Sequence, residues 1–290
     1  MTTTVVLPGV PGLGGLYARG AGLAAARRVR PGPTTLPAVE YVVRGVRASS
    51  AHLTDYQHLL GESASDVLPA GFVHVLAFPV ATALMVRADF PLPLVGLVHL
   101  TNRVTQLRPL GLTESLDVRA SAADLRPHRS GTQVDLVTEV SVDGALAWRG
   151  VSTYLARGVH LAGDAPSEDL APFTPPTPTG RWTLAGDAGR RYAAVSGDRN
   201  PIHLSALSAK ALGFPRAIAH GMYTAARALA DVGAGRGDAF DWSVEFAKPV
   251  LLPGTVTVRV AGAPADGFAF AGWDARSGKP HLTGTVTPLR

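Results

Sequence analysis

The chain has 290 residues, 46% of them hydrophobic and 17% charged, with no cysteine and a net charge of +5. This excludes a disordered chain, a disulfide-stapled scaffold, thiolate chemistry and cysteine-ligated zinc; no uninterrupted apolar run reaches about 18 residues, so no membrane span is expected. The basic residues are scattered and no nucleic-acid motif accompanies them, so they predict a solvated basic surface or attraction to a phosphorylated ligand or acidic carrier protein, not nucleic acid.

In chain order, residues 1–40 are rich in Gly, Pro, Ala and Arg and predict an extended N-terminal arm with a short helix near Gly22–Arg28. The glycines around Gly12 neither follow a strand nor satisfy G-x-G-x-x-G, so no nucleotide loop is expected. The run from Val5 to Ala18 has no preceding Lys or Arg and is broken by Pro8 and Pro11, which argues against a secretory leader and for a cytoplasmic location. Residues 41–160 form a first body. The stretch 161–180 carries Pro166, Pro172, Pro175, Pro176 and Pro178 with no hydrophobic period, the composition of a linker. Residues 181–290 form a second body.

The two bodies resemble each other. In Asp241–Pro249, Trp242, Val244 and Phe246 alternate toward one face. An offset of 140 places Val244 on Val104, Lys248 on Arg108 and Pro249 on Pro109. Upstream, an offset of 142 pairs Ala219, Thr224 and Ala225 with Ala77, Thr82 and Ala83. The consistent order predicts a duplication. In the second copy, apolar residues at 222, 225, 226 and 229 predict a helix over Met222–Val232. Strands follow near 241–249, 254–262, 266–274 and 281–287, with turn signals at Pro253-Gly254, Asp266-Gly267 and Ser277-Gly278. A helix followed by successive antiparallel strands is an α+β pattern.

The segment Tyr192-x-x-Val195-Ser196-Gly197-Asp198-x-Asn200-Pro201-Ile202-His203 sets a carboxylate and an imidazole five residues apart across a helix start. Asn200 suits the N-cap and Pro201 the first helical position, where no backbone N–H is needed. On a continuous helix, at ~100° per residue, Asp198 and His203 would diverge; with the helix starting between them they can converge. That is a general acid/base pair in outline, although an Asp and a His in one loop also form purely structural caps.

This segment resembles the hydratase-2 motif of the MaoC-like dehydratases over some 18 residues, and Phe214–Met222 resembles that family's entry to its central helix. Within the family the chain is similar, over roughly residues 40–290, to the actinobacterial (3R)-hydroxyacyl-thioester dehydratases of fatty-acid metabolism. The resemblance implies a double hotdog: two antiparallel sheets, each wrapping a central helix, as a pseudo-dimer within one chain that can pair further into a homodimer. It implies a hydro-lyase adding water reversibly to trans-2-enoyl thioesters of coenzyme A or acyl carrier protein, with no cofactor and no metal. Carried onto this sequence, His203 takes the α-proton in dehydration, Asp198 handles the water or hydroxyl, and the Gly221 backbone N–H stabilises the thioester oxygen. The two titrating groups act as a coupled pair. Tyr192, Ser196, Gly197, Asn200, Pro201 and His220 shape the site. A hotdog thioesterase and a non-catalytic acyl-thioester-binding subunit are the alternatives, both disfavoured by the intact motif.

The duplication offers an internal control. An offset of 142 puts Pro79, which has no N–H, at Gly221, and an offset of 136 puts Glu62 at Asp198 and Val67 at His203. The first copy is therefore expected to be catalytically silent. His74 and His99 are expected in apolar surroundings, no His/Asp/Glu cluster has metal-ligand spacing in sequence, and no G-x-S-x-G elbow suggests a serine hydrolase.

Overall fold

The computed structural model describes residues 2–27, 32–160, 163 and 172–290. Half of the expected linker, 161–162 and 164–171, lies outside the described residues. The elements run β1 (Thr3–Val6), α1 (Leu13–Arg27), β2 (Val39–Val46), α2 (Ser50–Leu60), α3 (Ala70–Met85), β3 (Leu97–Gln106), β4 (Leu116–His128), β5 (Gly131–Val142) and β6 (Ala145–Arg157). After the linker come β7 (Gly180–Leu184), α4 (Ala188–Ser196), α5 (Pro201–Leu204), α6 (Ala206–Ala211), α7 (Gly221–Val232), β8 (Phe240–Phe246), β9 (Gly254–Ala263), β10 (Gly267–Trp273) and β11 (Pro280–Pro288).

The chain forms two compact units: Met1–Arg47, Val73–Asn102 and Thr113–Asp169 in the first, and Ala48–Phe72, Arg103–Leu112 and Leu170–Arg290 in the second. The second unit thus takes in 48–72 and 103–112, which a division at 161–180 would leave with the first body.

In the first unit the strand order is β1-β2-β4-β5-β6-β3; β1 pairs parallel with β2 from Thr3↔Val39 to Val6↔Val42, and β2–β4, β4–β5 and β5–β6 pair antiparallel. The N-terminal residues are therefore not an extended arm. They supply an edge strand and a 15-residue helix beginning at Leu13, well before the short helix expected near Gly22. The helix survives four glycines because packing overrides propensity: Gly20 sits so close to Leu94 that an added Cβ would lie 3.1 Å from its side chain. Strand β5 alternates as a half-buried strand should, burying Val134, Leu136, Thr138 and Val140. Helix α3 faces β5 and β6 through His74, Phe78 and Ala81, which share a small cavity with Leu136, Thr138, Ser152 and Tyr154. His74 stacks on Phe78 and His99 on Tyr154, as expected of packed rather than ligating histidines.

In the second unit the order is β8-β11-β10-β9-β7, wholly antiparallel. Helix α7 and the four strands from β8 to β11 fall within one or two residues of the boundaries that periodicity and turn signals predict, apart from the end of the first strand. Helix α7 packs on β9 and β11 and buries Met222, Ala225, Ala226 and Leu229, the four apolar positions of its predicted face.

Local hydrogen bonding gives a truer register for the duplication. Leu68 N–H donates to Leu110 O and Leu112 N–H to Asp66 O; Ala219 N–H donates to Val250 O and Leu252 N–H to Ala217 O. The strand offset of 140 therefore holds, but the helix entry is offset by 151, not 142. Gly221 corresponds to Ala70, the first residue of α3, while Pro79 lies inside α3. The first copy therefore keeps an N–H at the position where proline was expected to remove it. The pairing of Val67 with His203 also falls: Val67 forms the bridge that Ile218 forms in the second copy. Seven residues separate Glu62 from Ala70, whereas twenty-two separate Asp198 from Gly221. The first copy lacks the whole α5–α6 insertion, and with it the imidazole.

Upstream the offset of 136 is sound. Helices α2 and α4 end on Gly61 and Gly197, both in the left-handed conformation (φ 73° and 72°) that glycine adopts without a Cβ penalty. Each cap carries a carboxylate next: Glu62 or Asp198. Glu62 is buried and paired with Arg236 at 3.1 Å; burial pushes its carboxyl up although the guanidinium pulls it down.

Candidate active site

Four local decisions in the sequence assemble the site. Gly197 terminates α4, donating its N–H to Ala193 O and turning the chain sharply. Asp198 then starts a second turn: its N–H donates to Ser196 Oγ at 3.2 Å, and its Oδ1 accepts the Asn200 N–H at 3.1 Å. Asn200 caps α5 by accepting the Ile202 N–H, with Pro201 at the helix start. His203 lies one turn later and is 8% exposed. Ser196 and Asn200 thus each accept a backbone N–H of this turn through a side-chain oxygen, while Gly197 supplies its left-handed residue and Pro201 starts α5.

The His203 ring is fixed in one tautomer. Nδ1 lies 2.9 Å from Ile218 O; a carbonyl only accepts, so Nδ1 carries the proton and Nε2 keeps its lone pair. The His220 ring stacks on His203 with centroids 3.6 Å apart and planes at 25°. His220 Nε2 donates to Asp198 O at 2.9 Å and lies 3.8 Å from Asp198 Oδ2. Tyr192 packs against His220 at 4.9 Å and Tyr223 at 5.5 Å, as a packing aromatic. One side-chain atom each of Asp198, His203 and His220 lie within 4.8 Å of one another. The fold thus gathers from distant sequence a His/His/Asp group of a kind that no linear spacing revealed. In this group His203 Nδ1 and His220 Nε2 are already committed to carbonyls, while the His203 Nε2 lone pair remains for proton transfer.

Both rings are neutral. Burial, reinforced by the neighbouring His220, lowers His203 from its ordinary 6.5 to about 3, against the opposing pull of Asp198 and the Ile218 carbonyl. Burial likewise lowers His220, again opposed by Asp198. Desolvation is the largest cause at both rings.

Gly221 begins α7, directly after His220 at the N-cap. As the first helical residue its N–H has no acceptor within the helix, and the helix dipole favours negative charge there. A Cβ at Gly221 would meet the Phe246 ring at 3.1–3.3 Å, so the start of α7 lies this close to the ring only because residue 221 has no side chain. Sequence reading missed three supports: the Ile218 carbonyl, Phe246 and Gly189. A Cβ on Gly189 would lie 2.1 Å from His203 O, a backbone atom that cannot step aside. Gly189→Ala is therefore expected to push α4 off α5, lowering both Tm in thermal unfolding and activity; an unchanged Tm would contradict this packing.

Residues 171–264 match the family described as MaoC like domain. The 3-hydroxyacyl-thioester dehydratase X of Mycobacterium tuberculosis is 40% identical over 273 residues, covering 92% of this chain and 95% of the relative. The chain belongs to the MaoC-like dehydratase family. Among solved structures, HtdX of M. tuberculosis superposes on this MaoC-like chain with a TM-score of 0.77 and 38% identity, covering 86% of this chain and 100% of that one. A second M. tuberculosis protein, described as having a double hotdog fold, matches with a TM-score of 0.51 and 16% identity over 84% of this chain and 94% of that one. At that identity it bears on the fold alone, and the fold of this MaoC-like dehydratase is a double hotdog of the α+β class. No helix among the described residues is long and apolar enough to cross a membrane.

Proposed function

We propose that this MaoC-like dehydratase interconverts trans-2-enoyl and (3R)-3-hydroxyacyl thioesters by syn addition and elimination of water, using Asp198, His203 and the Gly221 amide. The observation that carries the reading is the His203 tautomer: its Nδ1 proton is held by Ile218 O, so its Nε2 lone pair stands ready in the same cluster as the Asp198 carboxylate. In dehydration, Nε2 takes the proton from C2, the electron pair forms the C2–C3 double bond, and the hydroxyl leaves C3 as water with a proton from Asp198. Hydration is the reverse. Negative charge on the thioester oxygen is met by the Gly221 N–H at the start of α7. The second copy holds the site, and the first copy has neither His203 nor the α5–α6 insertion that carries it. The thioester is borne by coenzyme A or a carrier protein, and the chain supplies both hotdog copies itself, with homodimerisation measurable by light scattering. Loss of enoyl absorbance from crotonyl-CoA on adding the protein tests the reading. Release of free thiol instead would mark a thioesterase, and neither signal a binding subunit.

The lowered imidazoles also set a pH dependence. Below about 6.5 the unfolded histidines take up protons that the buried rings refuse, so the unfolded state binds more protons and stability falls with pH. For His203 the window runs from 6.5 down to about 3. Tm is therefore expected to decline as pH falls through this range, with part of the decline absent in His220→Phe. A decline of equal size in that variant would contradict the assignment.

A further inference from the structure

A second feature of the C-terminal unit lies outside the acid/base cluster. The end of α2, the end of β7 and the outer faces of α4 and α7 enclose an open cavity of about 330 Å³, lined among others by His58, Thr183, Arg191, Tyr223, Arg227 and Asp231. Its cationic side chains outnumber its single carboxylate. That carboxylate is already engaged, since Trp182 Nε1 donates to Asp231 Oδ2 at 2.7 Å. Arg227 is not a loose surface side chain: its guanidinium lies over the Trp182 ring at 5.3 Å and Nη1 reaches Tyr223 Oη at 3.5 Å. A guanidinium held on one face by an aromatic ring keeps its in-plane N–H groups for a planar or tetrahedral oxyanion, the geometry that suits phosphate.

The cavity is joined to the reacting groups through a continuous run of rings. Tyr223, in its wall, packs on Tyr192 at 5.5 Å, Tyr192 on His220 at 4.9 Å, and His220 on His203 at 3.6 Å. The same helix α4 that contributes Arg191 to the cavity ends at Gly197, one residue before Asp198. These ring contacts separate the cavity from the reacting groups by only a few side chains, a span that one ligand with an anionic end and a reactive end on a flexible arm can bridge.

We propose that the Arg191–Arg227 cavity binds a phosphate ester, the anionic handle of the thioester carrier. The inference rests on the thioester reading of the Asp198–His203 site and names the part of the substrate that the site itself does not hold. Both a coenzyme A nucleotide and a carrier protein's phosphopantetheine offer this chemistry.

Calorimetric titration of the full chain with free coenzyme A, 4′-phosphopantetheine and pantetheine tests it without depending on turnover. Coenzyme A is expected to bind about ten-fold or more tighter than phosphate-free pantetheine, the equivalent of one hydrogen bond to a charged group. The Arg191→Gln/Arg227→Gln double variant should lose that gap, while Arg290→Gln, at an exposed pair with Asp266, should keep it. If 4′-phosphopantetheine shows the same gap, the pantetheine phosphate is the handle; if only coenzyme A shows it, the nucleotide phosphates are. Equal affinities for coenzyme A and pantetheine in the parent chain, or an undiminished gap in a double variant whose Tm matches the parent, would overturn the proposal. A chain that binds coenzyme A through these arginines yet fails to hydrate crotonyl-CoA would sink the hydratase reading and leave the cavity's assignment standing.

Discussion

Asp198→Asn and His203→Ala are each expected to lower kcat for crotonyl-CoA hydration by about 10²–10⁴-fold, the range for removing a positioned acid or base. Asp198→Asn is the sharper test because its structural role survives. Asn keeps a side-chain oxygen that can accept the Asn200 N–H, and the backbone oxygen that accepts from His220 Nε2 is untouched. Tm should therefore change little while turnover collapses. His203→Ala also frees the Ile218 carbonyl and removes half of the ring stack, so its loss of activity will come with some loss of stability. Steady-state rates beside thermal unfolding curves separate the two effects. Parent-like kcat in Asp198→Asn would remove the carboxylate from the mechanism.

Gly221→Ala is the second large effect, about 10²-fold in kcat, comparable to misplacing a reacting group by about an ångström. Alanine retains the N–H, so the loss would come from position. The new Cβ meets three atoms of the Phe246 ring at 3.1, 3.2 and 3.3 Å, and either the helix start or the ring must shift. Phe246→Leu in the Gly221→Ala background removes the ring and should recover much of the rate. If the double variant stays as slow as the single one, crowding is not the cause.

Much of this site is written in a short stretch of sequence, for a physical reason. The Asp198–His203 geometry is made by local devices: a left-handed glycine, an Asx turn, an Asn cap and a helix-starting proline, each identifiable from residue type alone. The strands of the second copy were equally legible, because alternation and turn residues are local signals. What escaped was set at long range. The tautomer of His203 depends on a carbonyl fifteen residues away, and carbonyls have no sequence signature. The stack with His220 and the constraint from Phe246 arise from tertiary packing. The register of the first copy went astray at Pro79, since an offset of 142 at the helix entry, close to that of the strands, takes no account of the α5–α6 insertion missing between Glu62 and Ala70. The N-terminal helix was likewise hidden, its glycines arguing for irregular chain while Gly20 packs closely against Leu94.

The stereochemistry of crotonyl-CoA hydration in deuterated water tests the central claim most directly. With one imidazole and one carboxylate working on the same face of the bound chain, the 3-hydroxybutyryl-CoA formed should carry a single deuterium at C2, on the face that receives the hydroxyl at C3. Deuterium delivered to the opposite face would contradict a thioester held between His203 and Asp198.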